Sequence, residues 1–402
     1  MHSTDDLELI RELVSEPGPS APARSRGRAA LMALAERDGE TAGQQPPARS
    51  GRPARTRRLA LAGGGTAVLA GAAAAAVLIA TAGTGAPQPG HAAAGQAARG
   101  QAAGHHGAPV PSAQHVLLTA ARQAGAAPAA AGRFWVTRAI SGTNMAVGAA
   151  GHRYVITARG SDDQWTARAA GGSSEFISRS LGARPATAAD TAAWRQAGSP
   201  RHWLVTVIKS GRRGRLRIPA AAGKPFGGPT NDGAKIFAIG SRNVSMRQLR
   251  RLPVTTAGLK AALLHYFAEP GATGGDLPAS ATAWLWQTGT GMITDMPLSP
   301  AQRAATYRLL AGLHGVRSLG TVTDPAGRNG TAVELTSPTG AAGTEASILI
   351  VSPRTGLPLA TAVRVVRAAG LTAGLRPGTL ASYEIIRFAG WSDTAPPAIP
   401  HS

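Results

Sequence analysis

The sequence contains no cysteine. Without thiol groups the chain cannot form disulfide bonds, zinc–thiolate sites or a lipid-modified cysteine, and it has no cysteine nucleophile. Aromatic residues are also scarce, at 4%. Since large rings are few, we expect a core of small and aliphatic side chains that is stabilised by packing alone.

The common catalytic motifs are missing as well. The sequence has no HExxH, GxSxG, Walker or GxGxxG pattern, and Gly289-Thr290-Gly291 is only a fragment of the last. His91, His105 and His106 have no acidic neighbours that would complete a metal site, so we interpret them as linker residues. We therefore predict a protein that is not an enzyme and that uses no cofactor or metal.

Acidic residues are few, and the formal net charge is +21. Residues 1–58 carry ten arginines and eight acidic residues, whereas residues 83–402 carry 32 basic and 13 acidic residues. If the second region lies outside the cell, nucleic acid is excluded as a partner, and anionic lipid or wall polymer becomes the natural electrostatic one. The alternative is that scattered arginines reflect coding bias and solubility.

Residues 59–82 are the only long uncharged, apolar run. At about 1.5 Å per residue, such a helix crosses a hydrocarbon core of about 30 Å. Five arginines and no acidic residue come directly before it, while the first charge after it is Arg99; these topology signals are Arg49, Arg52, Arg55, Arg57 and Arg58. The positive-inside rule then predicts a single-pass protein of the cell membrane, with a cytoplasmic N-terminus and an exported C-terminal domain.

A cleaved export signal is the alternative for the same run. The stretch "TRRLAL" is similar to a twin-arginine signal, and Ala80-Thr81-Ala82 has the form of a cleavage site. However, about 55 residues precede the run, which is far more than the short basic region of a signal peptide. We expect the segment to remain as an anchor.

The segments around this anchor differ in character. In residues 1–48 we predict two short helices, the first with Leu7, Ile10 and Val14 on one face. Because so short a region cannot bury that face alone, we predict that it docks a cytoplasmic protein; the alternative is a disordered tail. Residues 49–58 form an arginine-rich juxtamembrane segment, and residues 83–112, rich in Ala, Gly, His and Pro, are predicted to be a flexible linker.

Residues 113–402 alternate between strand-like and helix-like patterns. A helix is expected after Ser112, and strand-like runs follow, including 153–159 and 164–169, between which we interpret Asp162-Asp163 as a turn. A helical block then begins at two serine capping boxes, and strand-like runs return near the end. This order predicts an α+β domain with a mainly antiparallel sheet and packed helices.

Several stretches carry a resemblance to a known family. They are "LELIRELVSEPGPS", "HVLLTAARQA", "WRQAGSP", "LKAALLHYF", "SPAQRAATYRLLAGLHGVRSLGTVTDPAGRNGTAVEL", "SPRTGLPLA" and "FAGWSD". Together with the single span, they resemble an uncharacterised family of actinobacterial single-span membrane proteins. Members are often encoded beside extracytoplasmic-function sigma factors, which implies a sensing or binding role that is accessory to sigma-factor signalling.

The final third also looks like the consecutive strands of lipoprotein-carrier domains, through "GTAVELT" and "ASILIVSPRTGLPLATAVRV". This resemblance implies a strongly curved sheet that wraps around helices and holds an acyl chain or a hydrophobic peptide.

Two features, one polar and one aromatic, are each compatible with a binding role and with a structural role. Asp324 and Arg328 lie in the stretch "TDPAGRNG", where they either bind a protein partner or an anion, or pair across a hairpin connection. Trp391 either seals the rim of the sheet or offers an aromatic anchor to a partner.

Overall fold

The computed structural model describes residues 110–398, except 170, 210–211, 231–236, 270–277, 279 and 340–342. The predicted docking face, the juxtamembrane arginines and the membrane segment at 59–82 lie outside the described residues. Among the residues that are described, no helix is both long and apolar enough to cross a membrane.

The described chain is an α+β domain with a large antiparallel sheet, as the sequence predicts. The helices are α1 Ala113–Ala126, α2 Ala188–Gln196, α3 Met246–Arg250, α4 Thr256–Phe267, α5 Ala281–Asp295 and α6 Pro300–Ala311. The first eight strands are β1 Phe134–Val147, β2 Tyr154–Ala167, β3 Ser174–Pro185, β4 His202–Lys209, β5 Arg212–Pro219, β6 Phe226–Thr230, β7 Phe237–Ile239 and β8 Arg242–Val244. The last five are β9 Val316–Thr323, β10 Asn329–Thr339, β11 Gly343–Val351, β12 Pro358–Arg367 and β13 Leu380–Ser392.

Nine strands form one sheet in the order β6-β3-β2-β1-β13-β12-β11-β10-β9. The strands before the helical block and those after it meet where β1 pairs with β13, from Phe134–Ser392 to Thr143–Ser382. Two further hairpins, β4–β5 and β7–β8, form separate two-stranded sheets. The pairing of β1 with β13 therefore joins the strands before the helical block to those after it, although β1 and β13 are more than two hundred residues apart in the sequence.

The helices begin where the sequence predicts. The Ser112 side chain accepts a hydrogen bond from the amide of His115 at the start of α1. Ser245 with Gln248, and Ser299 with Gln302, form complete capping boxes at the starts of α3 and α6. These caps satisfy amide groups that lack partners within the helix, which fixes the first turn of each helix.

The main hydrophobic core lies between the helices and one face of the large sheet. Leu117, Trp284 and Tyr307 are fully buried there, against Val333 of β10 and Leu349 of β11. Burial of a large apolar side chain contributes about 2 kcal/mol, so this layer is the main source of stability. We call this side of the sheet the helix face and the opposite side the far face.

A second core lies under the β4–β5 hairpin. Trp203 donates a hydrogen bond from Nε1 to the hydroxyl of Tyr154 at 2.8 Å, and both side chains are buried with Leu216 and Ile218 of β5. β5 is not among the strands predicted from the sequence, because arginines dominate it. Its signal was the alternation of arginines with apolar residues, which is typical of a strand with one buried face.

The predicted turn at Asp162-Asp163 is wrong, because residues 154–167 form one continuous strand. Asp162 is buried and accepts hydrogen bonds from Ser178 Oγ at 2.7 Å and from Gln164 Nε2 at 2.9 Å. Asp163 points to the far face, where Arg138 lies 3.5 Å away. The hydrogen bonds of Asp162 come from within the sheet and Asp163 faces Arg138 across it, so the local turn preference of aspartate does not decide the structure.

Candidate binding sites

Asp324 and Arg328 pair with each other in the connection between β9 and β10. The Asp324 carboxylate is buried and accepts hydrogen bonds from the Arg328 amide at 2.8 Å and from Arg328 Nε at 2.7 Å. The other guanidinium nitrogens donate to the main-chain carbonyls of Ile386 at 3.0 Å and Leu359 at 2.6 Å. Both charges are thus engaged within the protein, and this geometry corresponds to the structural alternative of the sequence analysis.

Trp391 also packs inside the protein. Its ring makes an edge-to-face contact with Trp135, at 5.6 Å between centroids, and the Trp135 indole donates to the carbonyl of Asp295 at 2.8 Å. The guanidinium of Arg168 lies 5.8 Å from the centre of the Trp391 ring. Trp391 therefore joins the end of α5 to the edge of a surface depression that Arg168 helps to line.

That depression is a cleft of about 1390 Å³ at one end of the sheet. Its walls come from the start of β1, the β2–β3 connection, β6 and the segment that follows β13. Apolar groups line much of it, namely Phe134, Phe226, Pro225, Pro229, Pro396 and Pro397. A concave surface with apolar groups and a few converging charged groups is a candidate site for a ligand.

The charged residues of the cleft are mostly basic. Arg133, Arg168 and Arg250 line it, together with Glu175 and Asp393. The Asp393 carboxylate already accepts a hydrogen bond from the amide of Arg133 at 2.9 Å. Three guanidinium groups around apolar rings fit a ligand with an apolar body and an acidic end.

Sequence reasoning did not find this cleft. Phe134, Arg168, Phe226 and Arg250 lie on four separate segments, and no spacing along the chain connects them. The pairing of β3 with β6 and of β1 with β13 brings these segments to the same end of the sheet. Only the tertiary fold therefore indicates the site.

The described part of the chain contains no cluster of side chains that could bind a metal ion. Nowhere between residues 110 and 398, apart from the gaps given above, do three or more His, Cys, Asp or Glu side chains converge to hold an ion. His91, His105 and His106 lie outside the described residues.

No protein-family model matches this chain, and no curated protein matches it. The family resemblance and the sigma-factor context therefore stay predictions.

Proposed function

We propose that residues 113–402 form a ligand-binding domain that a single-span protein of the cell membrane carries outside the cell. The proposal of an anchor rests on the uncharged run at 59–82 and on the arginines that precede it. The N-terminal segment, with Leu7, Ile10 and Val14, is the cytoplasmic docking element, and the protein acts as an accessory of sigma-factor signalling.

The observation that carries the binding role is the cleft of about 1390 Å³. Its phenylalanine and proline walls accept an apolar chain, and its arginines accept an acidic end group. The ligand class is therefore an amphipathic anion such as a fatty acid.

Hexanoate is a suitable probe for the cleft, with hexanol as the uncharged ligand of equal chain length. Saturation-transfer NMR on the full chain in dodecyl maltoside would measure binding. We expect Arg250→Ala to weaken hexanoate binding about fivefold and to leave hexanol unchanged, because one charged contact is worth about 1 kcal/mol at an exposed site.

Arg247→Ala is the matched control, since Arg247 is an exposed arginine of the same helix that does not line the cleft. If the two variants bind hexanoate equally, the cleft is not the site and the proposed function fails.

The topology is tested by protease treatment of intact cells that express the chain with a tag at each end. We expect external protease to remove the C-terminal tag and to leave an N-terminal fragment that includes residues 1–58. A mature protein that begins near Gly83 would instead contradict the anchor and exclude a docking element on the cytoplasmic side.

A second candidate is an envelope-binding protein whose basic exterior holds anionic lipid or wall polymer. The surplus of basic over acidic residues in 83–402 favours it. Sedimentation of the full chain with purified cell-wall material at low and high salt tests this role. Retention that is unchanged at high ionic strength would contradict it, because salt screens contacts between exposed charges.

A further inference from the structure

Two arginines lie beside each other on the far face of the sheet, close to its β6 edge. Arg159 on β2 is directly opposite Gly142 on β1. Arg184 on β3 is directly opposite Thr157, which precedes Arg159 by two residues. Directly paired residues, and residues two apart on a strand, share a face of a sheet, so Arg159 and Arg184 are diagonal neighbours.

Tyr383 completes this group from the other side of β1. It is paired with Gly142, and its ring lies across that glycine: a Cβ atom at position 142 would come within 2.6 Å of the Tyr383 hydroxyl oxygen. The ring can occupy this place only because Gly142 has no side chain. The tyrosine hydroxyl is thereby directed over β1 towards Arg159, and we call these three residues, Arg159, Arg184 and Tyr383, the arginine-pair site.

The guanidinium of Arg159 has hydrogen-bond donors without acceptors. Its Nε and Nη1 atoms are shielded from water and have no hydrogen-bond partner in the described part of the chain. Burial lowers the pKa of Arg159, the charge of Arg184 lowers it further, and Tyr383 acts in the opposite direction. A buried charged donor without an acceptor is costly, and a second positive charge nearby adds to that cost.

Two arginines of the far face, Arg317 and Arg364, share a carboxylate partner. Pairing across the sheet places Glu334, Ile348, Ala362, Tyr383, Gly142 and Arg159 in one row on this face. At one end of that row, Glu334 accepts hydrogen bonds from Arg317 at 2.9 Å and Arg364 at 2.6 Å. At the other end of the row, Arg159 and Arg184 have no ion pair with a described residue. No described carboxylate therefore compensates their positive charges.

We propose that Arg159, Arg184 and the Tyr383 hydroxyl bind a phosphate oxyanion, either as free phosphate or as the phosphodiester of a lipid headgroup. Guanidinium groups present paired N–H donors that match the oxygens of phosphate, and the tyrosine hydroxyl adds a third donor. The site is eight residues along β1 from Phe134 at the cleft, about 27 Å away. It is therefore independent of the proposed cleft ligand.

The test uses the full chain in dodecyl maltoside, a detergent without phosphate. Inorganic phosphate and glycerophosphoglycerol are the probes, and phosphorus NMR and the thermal unfolding midpoint are the readouts. We expect Arg159→Gln and Arg184→Gln each to weaken phosphate binding about tenfold or more, and Tyr383→Phe about threefold. Arg308→Gln, which removes an exposed arginine of α6, is the control and should bind as the native chain does.

The unfolding midpoint measured without phosphate distinguishes a misfolded variant from one that has lost only the binding site. Because Arg159→Gln removes a half-buried charge that lacks a partner, its unfolding midpoint should equal or exceed that of the native chain. Binding of inorganic phosphate alone would assign free phosphate, and binding of both probes would assign a headgroup phosphodiester. The proposal is overturned if both arginine variants bind phosphate within twofold of the native chain, or if Arg308→Gln loses as much affinity as they do.

Discussion

The carboxylate of Asp324 holds the guanidinium of Arg328 against two main-chain carbonyls, those of Leu359 and Ile386. The regular pairing of β12 with β13 extends only as far as Ala360 and Ile385, so these carbonyls lie just beyond its end. Arg328 thus donates side-chain hydrogen bonds at the position where the backbone pairing of β12 with β13 ends. A loop that looks like a binding motif in the sequence thus stabilises the junction of three strands.

We expect Arg328→Ala to lower the free energy of unfolding by about 3 kcal/mol, because it leaves the buried Asp324 carboxylate without its counter-ion. Urea unfolding of the full chain measures this loss. Arg354→Ala, at an exposed arginine in the turn between β11 and β12, should cost less than about 0.5 kcal/mol. Equal stabilities of the two variants would mean that Arg328 does not stabilise the junction.

A glycine beneath Tyr383 gives a second stability test. Gly142→Ala should destabilise the protein by about 2 kcal/mol, since its Cβ would overlap the Tyr383 ring and displace it. Gly228→Ala on β6 is the matched control, because a Cβ there meets no atom within 4 Å. Thermal unfolding should therefore show a lower midpoint for the first variant and an unchanged or higher midpoint for the second. A native midpoint in Gly142→Ala would contradict the ring position.

The helices and most strands could be predicted because their signals are local. Serine caps at Ser245 and Ser299 mark helix starts, and apolar alternation marks the strands of the final third. The continuous strand through Asp162 could not be predicted, because its partner Ser178 comes from another strand. The cleft and the arginine-pair site depend likewise on strand order, which residue patterns along the chain do not determine.

Tyr307 joins α6 to the turn between β11 and β12. Its hydroxyl donates to the carbonyl of Gly356 at 2.6 Å, and the side chain is fully buried. We expect Tyr307→Phe to cost about 1–2 kcal/mol, because the carbonyl loses its donor. Tyr266→Phe, at a half-buried tyrosine of α4, is the control and should cost less than about 0.5 kcal/mol.

The cost of Tyr307→Phe should also depend on pH. Burial raises the pKa of Tyr307 above its ordinary value of 10.0. Above about pH 10 the unfolded chain therefore ionises this tyrosine while the folded chain does not, and the native protein loses stability that the phenylalanine variant keeps. We expect the difference in free energy of unfolding between the native chain and Tyr307→Phe to be smaller at about pH 11 than at about pH 8, as urea unfolding at each pH would measure. A difference that does not change with pH would contradict the burial of a neutral hydroxyl.

Asp163 is expected to destabilise the fold at neutral pH. Burial raises the pKa of this carboxyl above 3.8, although Arg138 and Arg387 act in the opposite direction. Because the folded pKa is raised, the charged form is penalised in the folded state above that pKa, and the penalty disappears as the pH falls below the unfolded value. We therefore expect Asp163→Asn to raise the free energy of unfolding at about pH 7 and to have no effect at about pH 3.

Arg138→Gln provides the opposite change at the same pair, since Arg138 lies 3.5 Å from the Asp163 carboxylate. Removing this charge should raise the pKa of Asp163 further and lower stability at about pH 7, because the half-buried carboxylate then loses part of its compensation. In Asp163→Asn the same arginine substitution should cost less, as a double-mutant cycle at the two pH values would measure. If Asp163→Asn is less stable than the native chain at about pH 7, hydrogen bonding and pairing of this carboxylate outweigh its desolvation.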